Sequence, residues 1–143
     1  MAQHYFSLAQ RTVDGTSGAA AWEIRAGASG CSVHRIGLSL AAATASIFGL
    51  GRPAAIGITP TTPVTFGASR PVEAVSVATG AMAWGTGPTV PAAFLRRISL
   101  PATVGAGIVW EFDGTLVIPA SGSLVLWNLA ANAVADVWAD IQK

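Results

Sequence analysis

The segment 123–129, SLVLWNL, is apolar on both of the faces that a β-strand would present. Successive side chains of a strand point to opposite sides, so Leu124 and Leu126 lie on one side, and Val125, Trp127 and Leu129 lie on the other. A sheet with one face in water leaves one of these sides exposed. The segment therefore predicts a sandwich whose outer face is covered by another subunit.

Short apolar runs separated by clusters of Gly, Pro, Ser, Thr and Asp follow one another along the chain, which is the spacing of an all-β protein. The longest alternating run is 32–42, where Ile36, Leu38 and Leu40 share one face and Arg35, Gly37 and Ser39 share the other. In a further strand at 134–141, Val137 and Ile141 share one face, and Asp136, Trp138 and Asp140 share the other. We expect a single domain over residues 1–143, an antiparallel β-sandwich of jelly-roll type with about eight to ten strands.

Three local patterns give sharper expectations. In the strand at 21–26, Trp22 and Ile24 face the core, whereas Glu23 and Arg25 face outward. The dipeptide Asp113-Gly114 is a strong turn signal and predicts a hairpin between strands at 108–112 and 116–118. Residues 51–72 contain four prolines, which predicts an excursion with one short strand at 55–59.

The composition excludes several classes of partner. Charged residues make up only 10% of the chain and the formal net charge is +1, against about 25% charged residues in ordinary domains. No strong field exists to attract nucleic acid or an anionic membrane. The charge-free stretch 114–135 is interrupted by Pro119 and a Ser-Gly-Ser turn, so we expect no spanning helix. The N-terminus lacks a secretory pattern, and we expect synthesis in the cytoplasm.

Few residues are suited to catalysis. The chain has two histidines, seven acids and one cysteine, and no motif arranges them as a nucleophile with its base, a carboxylate pair or a metal site. Cys31 stands alone and is interpreted as a small, semi-buried filler. We therefore expect no catalytic residue, no cofactor and no metal, and a protein that is not an enzyme.

Five tryptophans are many for this length, and core packing or subunit anchoring explains them better than a ligand platform does. Arg96 and Arg97 point to opposite faces of a strand, so they cannot form one basic patch. One of them suits an ion pair at a subunit contact, and an ordinary solvated arginine is the alternative interpretation. The residues expected to contribute to an oligomer interface are Trp127, Leu129, Trp138 and Arg97.

Four stretches carry a resemblance to a family of small virion structural proteins of tailed bacteriophages, especially those of actinobacteria. They are Trp22-Glu23-Ile24-Arg25, residues 40–54 (LAAATASIFGLGRPA), residues 95–103 (LRRISLPAT) and residues 122–132 (GSLVLWNLAAN). The resemblance implies a capsid decoration or cement protein built as a jelly roll, made in the host cytoplasm and located on the capsid surface. Its implied partners are other copies of the same chain, with which it would form a homo-oligomer such as a trimer, and the major capsid protein.

A second function fits the same chain, and a third does not. A carbohydrate-binding or host-surface-binding sandwich of a head or tail fibre would present tryptophans in a shallow groove. A cupin-like or hydrolytic β-protein would need clustered histidines, which the chain lacks.

Overall fold

The computed structural model describes residues 4–13, 17–70, 78–130 and 134–143. In these ranges the chain forms thirteen strands and no helix, so the all-β prediction is confirmed and no described helix could span a membrane. Eight strands have five residues or more, and the other five have two to four, so the total exceeds the predicted eight to ten. The strands are β1 (Tyr5–Arg11), β2 (Ala20–Ala26), β3 (Cys31–Leu40), β4 (Ser46–Gly51), β5 (Ile58–Pro60), β6 (Val64–Thr65), β7 (Gly67–Ala68), β8 (Ala78–Ala81), β9 (Trp84–Thr86), β10 (Arg96–Leu100), β11 (Gly107–Ile118), β12 (Ser123–Ala130) and β13 (Ala135–Gln142).

The strands form two large antiparallel sheets. Sheet 1 has the order β11-β3-β13-β1-β7, and sheet 2 has the order β10-β4-β12-β2-β8-β6. The eight long strands are divided equally, with β1, β3, β11 and β13 in sheet 1 and β2, β4, β10 and β12 in sheet 2. This division supports the jelly-roll type, which has eight strands in two Greek keys. The subtype itself stays a prediction.

The core lies between the two sheets. Alternation along the strands sends one apolar row inward from each, as predicted for Ile36, Leu38 and Leu40 in β3 and for Trp22 and Ile24 in β2, all of which are buried. The buried apolar side chains of both sheets form one continuous cluster. One continuous core is what a single sandwich domain requires.

The outer face of β12 is covered by the chain itself, and the expectation that another subunit covers it is wrong. Val125 and Trp127 are 0% and 2% exposed, although neither belongs to the central cluster. The cover includes a ribbon formed by residues 54–60 and 84–90, in which β5 pairs with β9 and Ala55 bridges to Thr89. We call this pair of segments the covering ribbon. Ribbon residues between 84 and 90 line one depression together with Trp127.

The Pro-rich excursion supplies half of this ribbon. It contains three short strands, of which β5 begins three residues later and ends one residue later than the strand predicted at 55–59. The other two extend the large sheets, since β6 pairs with β8 and β7 pairs with β1. Residues 71 and 72 of the predicted excursion lie outside the described residues.

The predicted hairpin at Asp113-Gly114 is instead a bulge within one long strand. Both residues have the positive φ that a turn needs, 49° and 77°. However, the flanking residues pair with the same strand β3, Glu111 with Arg35 and Leu116 with Val33. Because β3 is a continuous partner for both halves, the Asp-Gly pair bends the edge strand β11 without reversing it.

Candidate functional site

The outer face of sheet 1 carries four of the five acidic side chains in the described ranges. They are Glu111 and Asp113 of β11 and Asp136 and Asp140 of β13. The fifth, Glu23, is buried beneath the covering ribbon. We call this outer surface of sheet 1 the polar face.

One row of polar side chains crosses four strands of the polar face. The strand register aligns Ser7 of β1, Asp140 of β13, Arg35 of β3 and Glu111 of β11. Ser7 Oγ donates a hydrogen bond of 2.6 Å to one carboxylate oxygen of Asp140, and Arg35 Nε donates one of 2.8 Å to the other. Glu111 Oε1 lies 3.9 Å from Arg35 Nη1. These contacts hold the carboxylate and the guanidinium in one geometry.

Trp138 lies in the neighbouring row and occupies the space above a glycine. It pairs with Gly37 of β3 and with Ala9 of β1, and Gly37 pairs on its other side with Val109. A Cβ on Gly37 would lie 2.2 to 2.4 Å from three atoms of the indole ring. Residue 37 must therefore be glycine for the ring to rest on the sheet. The ring is only half-buried.

At the opposite end of the polar face from Trp138, His34 Nε2 and Gln142 Oε1 are hydrogen-bonded. The exposed ring of Tyr5 contacts His34 edge-on, with ring centroids 5.4 Å apart. The aromatic rings of Tyr5 and His34 and the amide of Gln142 therefore lie next to the row that contains Asp140 and Arg35.

The Arg11–Asp136 pair closes the other end of the polar face. Arg11 Nε donates a hydrogen bond of 2.8 Å to Asp136 Oδ1. This hydrogen bond lowers the pKa of the Asp136 carboxyl from its ordinary value. A lowered carboxyl pKa favours the folded state above the ordinary value and loses that effect as the pH falls through the lowered one. Because both groups are exposed, the pair is screened by solvent.

Two shallow depressions lie on the polar face. The first, of about 360 Å³, is lined by the Asp140 row together with Tyr5, His34, Ser69 and Asp113. The second, of about 370 Å³, is lined by Trp138, Val109 and neighbouring residues of β3 and β11. Volumes near 300 Å³ are at the lower end of the range for small-molecule sites.

The outer face of sheet 2 has the opposite character, because the one acid that the described residues place there is buried in a hydrogen-bond network. Glu23 is 0% exposed and accepts bonds from Arg25 Nη2 (2.9 Å), Ser123 Oγ (2.7 Å) and Trp84 Nε1 (3.0 Å). Arg25 Nη2 also donates to the carbonyl oxygen of Gly57, over 2.6 Å. Glu23 points away from the core as predicted, but the expectation that it faces solvent is wrong. Its network attaches the covering ribbon to sheet 2.

The four residues expected at an oligomer interface do not form one surface. Arg97, Gly49 and Trp127 are aligned across sheet 2, and Leu129 lies against Gly49, so three of the four share its outer face. Arg97 is exposed and Leu129 is half-buried, but Trp127 has almost no surface left for a partner to cover. Trp138 lies on the other sheet. Arg96 turns away from Arg97 as predicted, with its guanidinium 5.0 Å from the Phe112 ring centroid.

Cys31 is buried at the start of β3, and this burial raises the pKa of its thiol to about 11. A thiol with so little thiolate at neutral pH is a poor nucleophile. The interpretation of Cys31 as an inert filler agrees with this environment.

We expect native Cys31 to react with a disulfide reagent at pH 8 about 100-fold more slowly than the unfolded chain does, since each pKa unit changes the thiolate population about tenfold. The reaction can be followed by absorbance with and without denaturant. Immediate stoichiometric labelling of the native protein would show that the thiol is accessible and ionised.

The polar face was missed as a site by sequence reasoning. The alternation along β13 and β3 assigned Asp136, Trp138 and Asp140 to one face and Arg35 and Gly37 to another. What the alternation did not give was the strand pairing that makes these two faces one surface.

In the described ranges no three His, Cys, Asp or Glu side chains lie close enough together to hold a metal ion.

Comparisons of the chain with protein-family models, with curated proteins and with solved structures find no match.

Proposed function

We propose that this chain is a non-enzymatic structural protein of a tailed-phage virion, a capsid decoration protein that forms a homo-oligomer and binds the capsid lattice. The sequence resemblance motivates the proposal. The observation that carries it furthest is the difference between the two outer surfaces: four of the five described acids lie on the polar face, whereas the side of sheet 2 exposes aliphatic side chains and no described acid.

The side of sheet 2 fits the chemistry of a docking surface. Ile56, Ile58 and Val90 of the covering ribbon are exposed, and so is Leu95, which precedes β10. Among the described residues no acid is exposed on this side, and Arg97 is close to Leu95 in sequence. Interfaces are depleted of acidic residues and enriched in arginine and apolar side chains. We call Ile56, Ile58, Val90 and Leu95 the docking patch.

A decoration protein does not need a large contact. A standard interface covers about 800 Å² on each partner, and many copies on a lattice bind collectively more tightly than one copy does. The docking patch supplies a core for such a contact, with Arg97 and Leu129 at its margin. Trp127 acts indirectly, by supporting the ribbon from below.

The test is the mass of the purified protein in solution and its binding to capsids of the phage that encodes it. We expect an oligomer at micromolar concentration. Ile58→Asp and Leu95→Asp introduce a charge at the docking patch and should yield monomers that no longer co-sediment with capsids. The matched control is Val117→Asp, since Val117 is similarly exposed (49%, against 61% for Ile58 and 40% for Leu95) but belongs to sheet 1.

The proposal predicts that Val117→Asp keeps the mass and capsid binding of the natural chain. A natural chain that is monomeric at micromolar concentration and does not bind capsids would contradict it. So would docking-patch variants that behave like the Val117→Asp control.

A further inference from the structure

The polar face contains a flat aromatic surface built into the sheet. The Trp138 indole rests on Gly37, with the small side chain of Ala9 on one side and Val109 on the other. Any side chain at residue 37 would displace the ring, so the sequence keeps this position open for it. The ring is half-buried, and one part of it remains available for contact. A rigid, partly exposed aromatic ring is a stacking surface for another flat apolar group.

Hydrogen-bonding groups lie beside this ring. Asp140 is two residues from Trp138 on the same face of β13, so the two side chains are neighbours. Its two carboxylate oxygens are oriented by Ser7 and Arg35, and each oxygen retains a lone pair for a further donor. Arg35 has N–H groups beyond the one bonded to Asp140, and Glu111 adds a second carboxylate. The face thus offers both donors and acceptors in fixed positions.

We propose that the polar face binds a neutral saccharide, with the apolar side of a sugar ring stacked on Trp138 and its hydroxyl groups hydrogen-bonded to Asp140 and Arg35. A sugar ring has an apolar C–H surface and a rim of hydroxyls that each donate and accept. The two depressions of about 360 and 370 Å³ on the polar face give room for linked rings. This proposal is independent of the docking of the opposite side on a capsid.

The charge of the face selects a neutral ligand over an anionic one. Glu111, Asp113, Asp136 and Asp140 lie on this face, and the cations that pair with acids there are Arg11 and Arg35. The resulting negative potential repels nucleic acids and acidic glycans, which would otherwise also stack on an indole.

The experiment is a titration of the full chain with neutral oligosaccharides of glucose, galactose, mannose and N-acetylglucosamine. Binding is measured by calorimetry and by tryptophan fluorescence. Sialylated and uronate-containing oligosaccharides and single-stranded DNA are the anionic probes. We expect at least one neutral oligosaccharide to bind and the anionic probes not to bind. Trp138→Ala should weaken that binding by about tenfold or more, the loss typical of one stacking ring.

Asp140→Asn keeps the shape of the side chain but removes the charge that orients Arg35, and it should also weaken binding. Trp138→Phe, with a smaller ring, should bind with intermediate affinity, which keeps the test valid if the alanine variant is unstable. Ile58→Asp, which alters the docking patch, should leave the affinity per chain unchanged. Absence of binding to every neutral oligosaccharide, preference for an anionic probe, or unchanged affinity of Trp138→Ala and Asp140→Asn would each overturn the proposal.

Discussion

Replacing Glu23 with alanine is expected to destabilise the protein by about 3–5 kcal/mol, the usual cost of removing one partner from a buried ion pair. The carboxylate accepts three hydrogen bonds in a place that water does not reach. Its loss leaves the Trp84 indole N–H and the Ser123 hydroxyl without their acceptor, and it leaves the Arg25 charge uncompensated. Each of these groups was desolvated on folding, so the loss is not regained by hydration.

Chemical denaturation followed by fluorescence measures this change in the free energy of unfolding. Glu23→Gln retains an amide oxygen as acceptor and should be destabilised less than Glu23→Ala. The matched control is Glu111→Ala, because Glu111 is an exposed acid whose ion pair with Arg35 is long, 3.9 Å, and such pairs contribute about 0–1 kcal/mol.

The same variant should loosen the covering ribbon before the rest of the molecule. Glu23 and Arg25 connect β2 to Trp84 and to Gly57 of the ribbon. Hydrogen exchange of the amides in residues 54–60 and 84–90 should accelerate more than exchange in β3 and β13. A loss below about 1 kcal/mol, or uniform acceleration of exchange, would show that this network does not attach the ribbon.

Much of the fold was predictable because its local signals are consistent. Alternation in β2 and β3 identified Trp22, Ile24, Ile36, Leu38 and Leu40 as inward-facing, and all five are buried. An alternating pattern indicates which side of the sheet a side chain points to, and this predicted side was correct even where the predicted solvent exposure was wrong. Glu23 points outward as its place in the alternation requires, and only its burial was missed.

The burial of Glu23 and Trp127 could not be predicted from β2 and β12 alone. It depends on residues 54–60, which begin 28 positions after the end of β2, and on residues 84–90, which end 33 positions before the start of β12. Gly, Pro and Thr make up more than half of the two ribbon segments taken together, and such composition indicates loops. The register sets Ile58 against Thr86, a pairing that no local pattern specifies.

The candidate site shows the same limit. Sequence reasoning found that Trp138 and Asp140 share a face and that Gly37 and Arg35 share a face. The long-range pairing of β3 with β13 brings Trp138 to Gly37 and Asp140 to Arg35. A glycine in the middle of an otherwise regular strand was the one available signal, since such a position often marks the close approach of another group.

The largest core effect is expected at Trp22, where alanine should cost about 3–5 kcal/mol through the cavity that it leaves. Trp22 belongs to sheet 2 and is fully buried, and its Nε1 donates a hydrogen bond of 2.8 Å to Gln10 Oε1 of sheet 1. The side chain therefore joins the two sheets by packing and by this bond. Trp22→Phe keeps most of the volume and loses the donor, and Gln10→Ala removes the same bond without a core cavity.

Both of these milder variants should cost about 1 kcal/mol, the typical contribution of one hydrogen bond, and Trp22→Ala should cost several times more. Urea denaturation of the three variants separates packing from the bond. Equal losses in all three would mean that the hydrogen bond, and not the filled volume, holds the sheets together. Since the docking patch and the polar face are carried by opposite sheets, Trp22→Ala should impair oligomerisation and saccharide binding in parallel, whereas Ile58→Asp and Trp138→Ala should each impair only one.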